Sequence, residues 1–104
     1  MSDEVESVRK KYGPLFNDIL KLLYESDPVG INYADNPDEY EPEVGTILPR
    51  LHAARSCDDA HTIVYEEFLR WFDAETAGPK DAYASIAGQI WALWSAFKRL
   101  DDVG

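Results

Sequence analysis

Seven carboxylates fall between Glu25 and Glu43: Glu25, Asp27, Asp35, Asp38, Glu39, Glu41 and Glu43. No Lys or Arg interrupts them, and Tyr33 and Tyr40 stand among them. Carboxylates steer a protein toward a cationic surface. Tyrosines add contact area with few torsions to freeze. Tyr33, Asp35, Asp38, Glu39, Tyr40, Glu41 and Glu43 are therefore the candidate partner-binding residues. Asp27, Pro28, Gly30 and Pro37 are the candidates for shaping the segment. Asp27 and Asn36 each precede proline, which marks turns, and Gly30 is free to take a positive φ. Ile31 and Tyr40 are the apolar residues expected to pack inward.

Other reactive side chains are few. His52 and His61 are the only histidines, with Ser56 and Cys57 between them. A hydrolytic triad needs a nucleophile, a base and an orienting group, and the spacing here declares none. Cys57 directly follows a helix-cap position and reads as a small, partly buried residue. The alternating acids from Asp35 depart from a calcium-binding loop, because Tyr40 occupies the position that needs glycine. His-Glu-x-x-His and Glu-x-x-His are both absent, so no metal site is expected. The glycines form no phosphate-binding pattern, and no cofactor is expected.

These residues need a scaffold, and hydrophobic spacing describes one. Val5, Val8 and Tyr12 recur at helical intervals, with acids at the start to suit the helix dipole. Gly13-Pro14 interrupts, giving either a kink or a short helix followed by a longer one. Leu15, Phe16, Ile19, Leu22 and Leu23 form the next stripe, which Asp27-Pro28 ends. The acidic loop runs from about Ser26 to Glu41, a length that is uncommon in compact domains and usually functional. The second helix opens with Pro42 at its first position and buries Val44, Ile47, Leu48 and Leu51. Pro49 predicts a kink there, or a helix re-forming from Leu51 to Arg55. The third helix starts at Ser56 as cap with Asp59 completing the box, and runs to the Ala77-Gly78-Pro79 stop. The fourth spans about Pro79 to Leu100, with Trp91 and Trp94 sharing a face. Trp91 or Trp94 is expected in the core, and a partly exposed tryptophan would mark a binding hot spot. The fold expected is all-α: one domain over residues 1–104, a bundle of about four main helices with the long acidic loop between helices one and two.

The bulk numbers narrow the function. The net charge is −10 over 104 residues, which argues against nucleic acid and anionic membrane surfaces, since both are held by Lys and Arg. A basic protein partner, or simple solubility, is compatible with it. A single cysteine excludes an internal disulfide. The start lacks a signal-peptide pattern and no apolar run would span a membrane, so a cytoplasmic protein is expected.

"DPVGI" followed by "NPDEYEPEVGTIL" resembles a pattern in small bacterial helical proteins of unassigned function: Asp-Pro-(Ile/Val)-Gly-(Ile/Leu), a spacer, Pro-x-Asp-Glu-Tyr, then a helix. Some of these look like immunity proteins for polymorphic or contact-dependent toxins. The likeness covers Asp27 to Leu51, about a quarter of the chain. It implies a related fold, and it selects Asp27, Pro28, Gly30, Pro37, Asp38, Glu39 and Tyr40. The reading favoured is a non-catalytic protein-binding module, an immunity-type protein that neutralises a basic toxin. The alternative is a small enzyme or ligand-binding bundle with acids at a pocket mouth, using Asp38, Glu39 and His52 or His61. A homo-oligomer joined through aromatic surface is a third possibility.

Overall fold

The computed structural model describes the backbone of residues 3–28 and 40–103 and the side chains of residues 6–28 and 40–100. All of its regular elements are helical: α1 (Asp3–Tyr12), α2 (Pro14–Ser26), α3 (Glu41–Arg50), α4 (Cys57–Trp71), α5 (Ala74–Ala77) and α6 (Ala84–Val103), with 3-10 turns at Leu51–Ala53 and Lys80–Tyr83. Among the described residues the α-helices number six where four main helices were expected, and each extra break has a local cause.

The first break is at Gly13, whose φ of 54° and ψ of −125° suit glycine and strain any residue with a Cβ. Pro14 then starts α2 in the first turn, where its missing N–H costs nothing. The short helix followed by a longer one is thus the outcome. The second break is at Phe72, which turns extended (φ −129°). Asp73 follows as a new cap, its Oδ1 accepting from the Thr76 N–H at 2.7 Å, and starts the one-turn α5. The apolar stripe of α4 runs on through Phe72 without a gap, which is why the spacing predicted one continuous helix.

Other boundaries follow the sequence closely. Ser56 caps α4 by accepting from the Asp59 N–H at 3.2 Å. The Asp59 carboxylate returns to the Arg55 N–H at 2.9 Å, one residue before the cap, a shifted form of the reciprocal box. Pro49 sits inside α3. The chain then tightens into the 3-10 turn at Leu51–Ala53 in place of a further α-helical stretch to Arg55. Asp27 ends α2 in the left-handed conformation (φ 46°, ψ 57°), and its N–H bonds to the Leu23 carbonyl.

The buried apolar side chains form one cluster. Phe16, Ile19 and Leu23 from α2 meet Ile47 and Leu48 from α3, Val64 and Phe68 from α4, and Ile90 from α6. The packing pairs that build it are α4 with α6, α1 with α3, α2 with α6, and α3 with α4. Of the two tryptophans on α6, Trp94 is the one buried in the core, and Trp91 is half-buried against the cluster. Cys57 is exposed, contrary to the expectation of partial burial, because the first position of α4 faces water. Among the described residues, no helix is long and apolar enough to cross a membrane.

Candidate protein-binding site

The acidic segment has a closed base. Asp27 caps the end of α2 and Tyr40 caps the start of α3. The Tyr40 hydroxyl donates to the Asp27 carboxylate at 2.8 Å, joining the two ends. The Tyr40 ring is fully buried, with its centroid 6.0 Å from that of Phe68. Residues between these feet, including Tyr33, Asp35, Asp38, Glu39, Gly30 and Pro37, lie outside the described residues. So does the expected packing of Ile31. Of the candidate shaping residues, Asp27 and Pro28 are described, and Asp27 is the end cap of α2.

The three described partner-binding candidates, Tyr40, Glu41 and Glu43, are all buried. Glu41 pairs with Arg9 of α1. The Arg9 guanidinium also donates to Asn17 at 3.1 Å and lies 4.6 Å from the centre of the Phe16 ring. A burial cost of this size demands partners, and Arg9 meets it at Glu41. Tyr40 and Glu41 thus tie the start of α3 to the end of α2 and to α1.

A third buried carboxylate escaped the sequence reading. Glu67 on α4 is only 3% exposed. Arg50 reaches it at 2.9 Å and Arg70 at 3.7 Å, while Arg50 also pairs with Glu66 at 2.7 Å. These contacts, the Glu66 hydrogen bond foremost, raise the Arg50 pKa above its ordinary value. The signal was in the spacing: Ala60, Ile63, Val64, Glu67 and Phe68 share one helical face, so a glutamate there must be buried. Trp71 closes this seam with α3, its indole N–H donating to Thr46 Oγ1 at 3.0 Å, yet it remains 45% exposed.

The histidines lie elsewhere and apart. His52 Nε2 is 2.7 Å from the Tyr12 hydroxyl, and its ring meets Trp94 edge-on with centroids 4.8 Å apart. Burial raises the Tyr12 pKa. His61 Nε2 is 2.7 Å from the Lys80 carbonyl, so that nitrogen carries the proton. His52 follows the C-terminal end of α3 and Tyr40 precedes its N-terminal end, about 15 Å of helix between them. Neither histidine is brought to the foot of the acidic segment. Among the described residues no group of three or more His, Cys, Asp or Glu gathers to hold a metal.

No protein-family model, curated protein or solved structure matches this chain. The class defined by fold and site is an all-helical domain that carries an acidic segment on a closed base.

Proposed function

We propose that this chain is a non-catalytic protein-binding module whose acidic segment docks on a basic protein partner. An immunity-type role fits best: covering the cationic active site of a toxin in the cytoplasm. The observation that carries it is the closed base. Tyr40 is bonded to Asp27 and Glu41 to Arg9, so the inward residues fix the feet of the segment. The acids between them, with Tyr33, are left for the partner. A net charge of −10 adds long-range attraction to a basic surface.

The burial of Tyr40 dictates the test. Changing Tyr40 would damage the core, so the informative variant neutralises Asp35, Asp38 and Glu39 alone (D35N/D38N/E39Q). Intact protein and variant are used as baits in lysate of the source organism. The expected result is one basic protein held by the intact bait, released by salt and lost on the variant. Equal retention by both baits would remove the segment from the interface. Absence of any partner on the intact bait would contradict the binding role itself.

A further inference from the structure

We draw no further inference here: the strongest candidate, the cleft of about 520 Å³ between α1, α3 and α4 that Arg50 and Arg70 line, has both of its cations already paired with Glu66 and Glu67, and nothing in the structure shows what would cover it.

Discussion

Tyr40 does two jobs with different parts of one side chain. The ring fills core space beside Phe68 and the hydroxyl ties α3 to the end of α2. Replacing it by Phe should cost about 1 kcal/mol, the net worth of one hydrogen bond. Replacing it by Ala should cost about 3–5 kcal/mol through the cavity left behind. Urea unfolding measures both, and a Y40F protein as stable as the parent would show that the tie contributes nothing. Glu67 poses a different question, because its carboxylate is buried while Arg50 is partly in water. Removing Arg50 alone (R50A) leaves Arg70 at 3.7 Å as the nearest cation and should cost about 1–3 kcal/mol. A double change, R50M with E67L, should recover part of that loss, since an apolar pair needs no desolvation. A double variant less stable than R50A would contradict this. Tyr83 is held near neutrality by burial, with its pKa raised to about 12 from 10.0, and its hydroxyl donates to the Ala77 carbonyl at 2.5 Å. The unfolded chain releases this proton near pH 10 and the folded chain only near 12. The contribution is therefore complete below about pH 10 and is lost as pH rises toward 12. Unfolding followed between pH 9 and 12 should show this decline, and it should be shallower in Y83F.

The joints between helices show what local sequence reveals. Gly13-Pro14 and the Ser56 cap were legible because each signal is contained within four residues. Gly13 should tolerate no side chain cheaply: G13A meets no neighbour within 4 Å, so its cost is the backbone conformation alone, about 1–3 kcal/mol. A G13A protein of unchanged melting temperature would contradict that. The break at Phe72 was hidden because the apolar stripe continues across it, and Asp73 reads equally well as an exposed helical acid. Its role as a cap is visible in its lowered pKa, caused first by the Thr76 N–H it accepts. The inward turn of Glu41 was hidden for a different reason. Acids in the first turn of a helix suit its dipole while standing in water, and the cation that draws Glu41 inward is Arg9, 32 residues away. Only Glu67 could have been found from spacing, as a charge on an otherwise apolar helical face.

Over the whole molecule the helical class, the main stripes and the core tryptophan were legible. Hydrophobic periodicity carries that information directly. The proposed site was legible only as a region, because the sequence does not separate acids that turn inward, such as Glu41 and Glu43, from acids that stay in water. The structure divides the described ones, with Asp27, Tyr40 and Glu41 tied at the base. The charge of −10 then acts at long range, and it should govern the rate of encounter more than the lifetime of the complex. The measurement that tests this most directly is the association rate with the captured partner, recorded across a series of salt concentrations. The account predicts a steep fall in association rate as salt rises from about 0.01 M to 0.15 M, over which the screening length shrinks from about 30 to 8 Å. It also predicts a shallower fall for D35N/D38N/E39Q. An association rate independent of salt, or identical salt profiles for the two proteins, would contradict the central claim that the acidic segment recruits a basic partner.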